Sequence, residues 1–306
     1  MSILVVGSLC VDNTLYVSSL PLPGETVIAH SALTSLGGKG ANQALAAKMA
    51  GGEVAFLACT GNDSASHEYR QHLEKHGIDP RSLVTDPAAP TGSAFLSVED
   101  SGENSIVINP GANHALRPEH LDQHLDLFKN ATHLLLQLEI PFDTIRHACR
   151  LARENEVTIL INPSPWSDEF NTSDFPCDVL IVNEHEATSF FGKEGAKPSG
   201  ELLETLHLQT LLVTHGAEPT LVVMQSDEPF ESPPPVVTPV DTVGAGDAFT
   251  GALAVALAEN QSLENAVRFA NTAASLSILK PGAQGATPTR EEIESAIRQT
   301  PSQENL

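Results

Sequence analysis

Residues 241–249 read Asp-Thr-Val-Gly-Ala-Gly-Asp-Ala-Phe, a glycine-rich turn closed by an acid and followed by an apolar run over 249–257. Gly244 and Gly246 permit backbone angles closed to residues with a Cβ and leave nothing to block a ligand. A helix starting there leaves its first N–H groups unpaired and its positive dipole end forward, which suits a phosphate. The N–H groups of Gly244, Ala245 and Gly246 would then meet the anion. Asp247 would accept the proton of a hydroxyl attacking phosphorus, the general-base role in phosphoryl transfer. The same residues also read as an ordinary strand-to-helix turn with Asp247 as its cap.

A second cluster favours the chemical reading. Residues 37–43, Gly-Gly-Lys-Gly-Ala-Asn-Gln, place three glycines, a cation and two amides in seven positions ahead of a small-residue helix pattern. Lys39 is not a P-loop lysine, because the spacing G-x-x-x-x-G-K-[ST] is missing. Val6-Gly7-Ser8-Leu9 likewise lacks the G-x-G-x-x-G that a nicotinamide-dependent oxidoreductase would carry after its first strand.

These clusters need a frame. Short apolar runs over 3–6, 54–58, 133–136, 158–161, 179–182 and 210–213 predict buried strands. Helical patterns over 41–50, 65–76, 141–155, 262–279 and 290–298 alternate with them, the signature of a mostly parallel sheet with helices on both faces. A chain of 306 residues fits one such α/β domain. The stretches 13–33 and 91–109 show β-type alternation with no helix beside them, and we expect them to form a small separate sheet. Ser232-Pro233-Pro234-Pro235 reads as an edge connection, and 299–306 as a polar tail.

Composition excludes several classes. With 16 Lys+Arg against 39 Asp+Glu the net charge is −23, so a nucleic-acid or anionic-membrane partner is not expected. Glycine-loop N–H groups, Lys39 and a divalent metal would still make a nucleotide site locally positive. Cys10, Cys59, Cys149 and Cys177 form no C-x-x-C pair, against zinc or a disulfide framework. The run 1–7 lacks a basic n-region and a cleavage site, and no apolar run reaches membrane-span length, so a cytoplasmic protein is expected.

The two glycine clusters together resemble the paired signatures of the ribokinase-like (PfkB-type) carbohydrate kinases, and the resemblance extends along nearly the whole chain. It implies the ribokinase-like three-layer fold, with the small sheet as a lid over the sugar and as a homodimer contact. It implies transfer of the ATP γ-phosphoryl group to a primary hydroxyl of a pentose or related sugar, with Asp247 as base and Mg²⁺ on the phosphates. Residue by residue, Asp12, Gly38, Lys39, Asn42 and Glu139 match the family's sugar-binding positions. Asn183 and Glu186 match its Asn-x-x-Glu element for metal and phosphates. Thr214, Gly216 and Asn271 match positions toward the triphosphate and purine.

Asp241 and the carbonyls of Val243, Ser277, Lys280 and Gly282 match loops that enclose an activating monovalent cation, K⁺, in many relatives. Ala286 stands where a serine hydroxyl would complete that shell, with Thr287 as a substitute. Cys10 stands where ribokinase has an asparagine facing the sugar, and a thiol is a poorer partner than an amide. Two alternatives share the fold: a nucleoside kinase, for which two tyrosines and one tryptophan supply little aromatic lining, and a catalytically silent sugar-binding protein, against which intact Asp247 and Glu186 argue.

Overall fold

The run Ile3-Leu4-Val5-Val6 is apolar at every position, which only a strand covered on both faces can use. A computed structural model, describing residues 2–192 and 198–299, buries all four side chains. In chain order the strands are β1 (Ser2–Val6), β2 (Cys10–Val17), β3 (Ser31–Gly37), β4 (Glu53–Thr60), β5 (Leu83–Thr85), β6 (Ser93–Glu99), β7 (Asn104–Asn109), β8 (Ala131–Leu136), β9 (Thr158–Ile161), β10 (Val179–Asn183), β11 (Thr210–His215), β12 (Glu218–Met224) and β13 (Phe230–Ser232). The α-helices are α1 (Lys39–Met49), α2 (Ser64–Lys75), α3 (Pro118–Asp122), α4 (Leu125–Asn130), α5 (Phe142–Glu154), α6 (Glu184–Phe191), α7 (Gly200–Thr205), α8 (Ala245–Ala258), α9 (Leu263–Ser277) and α10 (Arg290–Gln299). The tail expected past residue 299 lies outside the described residues.

The large sheet runs β13-β12-β11-β10-β9-β8-β1-β4-β5. It is parallel from β11 to β5, and β12 and β13 add an antiparallel edge. All six expected strands lie in its parallel part. Sequence reading missed β5 and β13, which have three residues each, too few for a periodic signal. It also missed β12, where Pro219 interrupts the pattern; it is tolerated there because it sits next to the strand's start, at a register shift against β11 and before the pairing with β13 begins.

Alternation along β1 divides the core. Ile3 and Val5 pack with α1, α2, α8, α9 and α10 on one face. Leu4 and Val6 pack with α3, α4, α5 and α7 on the other. Helices α1 and α8 touch almost backbone to backbone: a Cβ on Gly251 would lie 2.6 Å from the Gln43 carbonyl oxygen and 2.7 Å from the Ala47 nitrogen. That approach sets the first turns of the two helices side by side.

A separate sheet runs β3-β2-β6-β7. Its strand β2 begins at Cys10, because the chain leaves β1 through only Gly7, Ser8 and Leu9 before pairing with β3. Pairing register puts Asp12, Ala94 and Ile108 on one face, and Asn13, Phe95 and Val107 on the other. Phe95, Val107 and Ile108 are all exposed. Among the described residues no helix is long and apolar enough to cross a membrane.

Candidate active site

Parallel strands bring their carboxyl ends to one edge. The register aligns Val6 with Leu136, Leu136 with Ile161, and Asn183 with Thr214. Each strand therefore delivers its following residues to the same rim, where open α/β sheets bind ligands. A cleft of about 200 Å³ opens there, lined by Lys39, Asn162, Asn183, Glu186, Thr214 and the turn from Gly244 to Asp247.

Gly244 caps α8 in the left-handed conformation, φ 81°, and a Cβ there would lie 2.6 Å from that of Ala283. Asp247 sits in the first turn and is not the cap. Its Oδ2 accepts from Asn42 Nδ2 at 2.9 Å and its Oδ1 from Gln43 Nε2 at 3.0 Å. Asp247 is 7% exposed yet lines the cleft, so its carboxyl group is fixed by donors from α1 at the cleft wall. The Ala245 N–H is turned to the Thr242 carbonyl at 3.3 Å. Those of Gly244, Gly246 and Asp247 have no partner among the described residues.

Across the rim, Glu139 Oε2 accepts from the Lys39 N–H at 3.0 Å and from the Ser8 hydroxyl. It thereby caps α1, whose own cap residue, Gly38, has no side chain to do so. Asp12 lies near enough to feel the Glu139 charge. Burial first, and that charge second, push Asp12 up to about 6 against a lowering contact with Cys10. Burial and the charges of Asp12 and Glu139 push the Cys10 thiol up as well, so it stays protonated at neutral pH. Asp12, Cys10, Glu139, Gly38, Lys39 and Asn42 are thus gathered around the entry to the small sheet.

On the other side, Asn183 Oδ1 accepts from the N–H groups of His185 and Glu186, both at 2.9 Å, while Glu186 Oε2 accepts from the Asn183 N–H at 2.9 Å. This reciprocal box starts α6 and fixes Glu186 with its second oxygen unbonded among the described residues, a hard oxygen donor suited to Mg²⁺. Thr214 lines the cleft with them. Gly216 does not; it forms the turn between β11 and β12. Nor does Asn271, whose amide joins three elements: it accepts from Thr220 Oγ1 at 2.8 Å and donates to the Ser232 carbonyl at 2.9 Å.

The loops expected to hold a cation are tied by one acid. Asp241 accepts from Val243 N–H at 3.0 Å and from Gly282 N–H at 2.8 Å. The Ser277 and Lys280 carbonyls belong to the same connection from α9, and their oxygen chemistry suits a monovalent ion. Ala286 is buried without a donor, and the Thr287 hydroxyl donates to the Ala283 carbonyl at 3.1 Å.

Sequence reading missed the amides behind Asp247. Gln43 Nε2 also donates to Asn162 Oδ1 at 3.2 Å, and Gln43 Oε1 accepts from Gln137 at 2.6 Å. Gln43 lay beside Asn42 in the motif already singled out, so adjacency was an available signal. For Asn162 and Gln137, neutral amides at strand ends, sequence offers none.

Comparison with known proteins identifies the family. Residues 1–290 match the family described as pfkB family carbohydrate kinase. The ribokinase of Bacillus subtilis is 36% identical over 300 residues, covering 97% of this chain and 99% of that one. The ribokinase of Haemophilus influenzae is 34% identical over 296 residues, covering 94% and 95%. The solved structure of Arabidopsis thaliana ribokinase complexed with ribose and ATP superposes with a TM-score of 0.86 at 29% identity, covering 97% of this chain and 98% of that one. Fold and whole-length similarity agree, and the chain belongs to the pfkB family of carbohydrate kinases.

Proposed function

We propose that the protein transfers the γ-phosphoryl group of ATP to a primary hydroxyl of a pentose or closely related sugar. The observation that carries this reading is Asp247, held by two amides at the mouth of a cleft beside the free N–H groups that begin α8. In the reaction the sugar oxygen attacks the γ-phosphorus in line, its proton passes to Asp247, and the bond to the ADP oxygen breaks. The N–H groups of Gly244, Gly246 and Asp247 oppose the charge on the phosphoryl oxygens. Lys39, which lines the cleft, adds positive charge on the acceptor side.

Asp12 and Glu139 supply carboxylate oxygens to sugar hydroxyls, and Gly38, Lys39 and Asn42 complete that side. Glu186 would hold Mg²⁺ with the help of Asn183, and the ion's chemistry there is to neutralise charge on the phosphates. Asp241 with the carbonyls of Val243, Ser277, Lys280 and Gly282 would hold K⁺, which would brace the turn at 244. Thr214 and Gly216 border the nucleotide, with Asn271 acting behind it as a strut.

The small sheet serves as a lid over the sugar. Its face with Asp12 closes on the acceptor and excludes water. The opposite face, with exposed Phe95 and Val107, is covered by the lid of a second copy in a homodimer. Four buried, unpaired thiols support work in a reducing compartment, the cytoplasm. A nucleoside kinase is less well supported, because Phe249 is the only aromatic residue in the described lining of the cleft. The test is a coupled ATP-consumption assay over ribose, deoxyribose, fructose and nucleosides, with and without K⁺. Sugar-dependent ADP release supports the reading, and its absence across the panel overturns it in favour of a silent binding protein.

A further inference from the structure

Gln284 has no role in the reaction described so far, yet its amide reaches the residues that orient the base. Gln284 Nε2 donates to Asn42 Oδ1 at 2.9 Å and to the Tyr69 hydroxyl at 3.3 Å. Asn42 in turn donates to Asp247 Oδ2 at 2.9 Å. We propose that Gln284 is a positioning residue for phosphoryl transfer, which fixes the Asn42 amide so that its N–H and not its carbonyl faces Asp247. The proposal rests on the reading of Asp247 as the base.

The physical reason lies in the shape of an amide. The oxygen and nitrogen ends of Asn42 are nearly isosteric but opposite in polarity. Only one orientation donates to the carboxylate; the other sets two acceptors against each other in a buried site. Asn42 cannot choose by solvation, being 9% exposed. A donor behind its carbonyl decides the orientation, and that donor is Gln284.

The nitrogen end of Gln284 is itself held in place, while its Oε1 is buried with no hydrogen-bond partner among the described residues. Both hydrogens of its nitrogen are used, one on Asn42 and one on Tyr69. Tyr69 is fully buried, and its hydroxyl is shared between the carbonyls of Gly37 and Cys10, where β3 ends and β2 begins. Next to Gln284 in the chain, Ala283 packs on Gly244 and the Gly282 N–H is bound by Asp241. The loop that braces the phosphate end of α8 therefore also sets the orientation of the base, through one side chain.

The experiment measures steady-state kinetics of Gln284→Leu, Gln284→Glu, Asn42→Ala, the double variant Asn42→Ala with Gln284→Leu, and Asp247→Asn. We expect kcat of Gln284→Leu to fall about tenfold, in the range of one hydrogen bond to a charged group, with KM for ATP within about twofold. In the Asn42→Ala background the same substitution should cost nothing further, since the amide it orients is gone. Gln284→Glu, similar in size but an acceptor, should lose at least as much, and it carries the test if the leucine variant does not fold. A kcat near wild type in either variant, an equal loss in both backgrounds, or a parallel rise in KM for ATP that marks a mere loop prop, overturns the proposal. Full turnover by Asp247→Asn would overturn the base reading and this proposal with it. A large loss in Asp247→Asn beside wild-type kcat in Gln284→Leu would sink this proposal alone.

Discussion

Asn42 donates to Oδ2 of Asp247 at 2.9 Å across 205 positions of sequence, and Gln43, the next residue, donates to Oδ1 at 3.0 Å. Two consecutive side chains can reach one carboxylate because α1 and α8 touch at Gly251. Both donors satisfy an ionised acid, and neither suits a neutral amide in its place. Asp247→Asn should therefore cut kcat by about 100-fold or more, the usual worth of a general base. It should also lower the melting temperature, because its NH₂ must face one of those donors, a lost buried bond of about 1–3 kcal/mol. Sugar affinity by calorimetry should change little. Turnover retained within a few-fold would remove Asp247 from the role.

With Asp12 as the proposed sugar ligand, acceptor binding should depend on pH. Its folded value is raised to about 6 by burial and by the charge of Glu139, and only the ionised form accepts two sugar hydroxyls. KM for the sugar should be flat above pH 7 and about tenfold higher at pH 5, where roughly a tenth of a group titrating near 6 stays ionised. Binding near pH 6 should release a proton, seen as a heat that varies with the buffer's ionisation enthalpy. For stability the sign is opposite. A carboxylate raised in the fold opposes folding above about pH 6, and the fold gains as pH falls from there toward the ordinary carboxylate range. Asp12→Asn should abolish both dependences; a pH-independent KM in the wild type would place another group against the sugar.

Glu186 has a structural part, in the box that starts α6, and a proposed part in holding Mg²⁺, and two substitutions separate them. Its Oε2 accepts from the Asn183 N–H at 2.9 Å, which Glu186→Gln retains through its own carbonyl while losing the charge. That variant should fold normally and need about tenfold or more Mg²⁺ for half-maximal rate. Glu186→Ala also loses its half of the box that starts α6, and should lose about 1 kcal/mol of stability in addition. An unchanged Mg²⁺ titration in both would move the metal away from this residue.

Most of the frame was legible because burial on both faces leaves its mark at every position: Ile3 to Val6 cannot be anything but covered. Asp247 and Lys39 were legible for a related reason, since glycines that admit a ligand crowd the sequence around them. What could not be read were contacts made by neutral amides from far positions. Gln137, Asn162 and Gln284 carry no charge, spacing or backbone peculiarity, Gln43 has only its place beside Asn42, and it is the approach of α1 to α8 and of the 282–285 turn to Gly244 that brings them together. Asn271 shows the converse. A family position suggested the purine, but its oxygen and nitrogen are engaged by Thr220 and Ser232.

On the proposed placement of the sugar beside Asp12 and Glu139, Cys10 should bear on which sugar is taken. Its sulfur is buried, its nearest backbone partner is the Val11 carbonyl at 3.9 Å, and burial with the charges of Asp12 and Glu139 keeps it a neutral thiol. Asp12 and Glu139 beside it are acceptors when ionised, so a hydroxyl that donates to either finds no strong donor for its own lone pairs. An amide would supply one. Cys10→Asn should therefore raise kcat/KM for ribose about tenfold, the worth of about 1.4 kcal/mol, chiefly through a lower KM, with the KM for ATP unmoved. If the ribose value is unchanged in a variant that folds as well as the wild type, position 10 does not face the acceptor, and the choice of sugar lies with the lid residues Ala94 and Ile108, which share a face with Asp12.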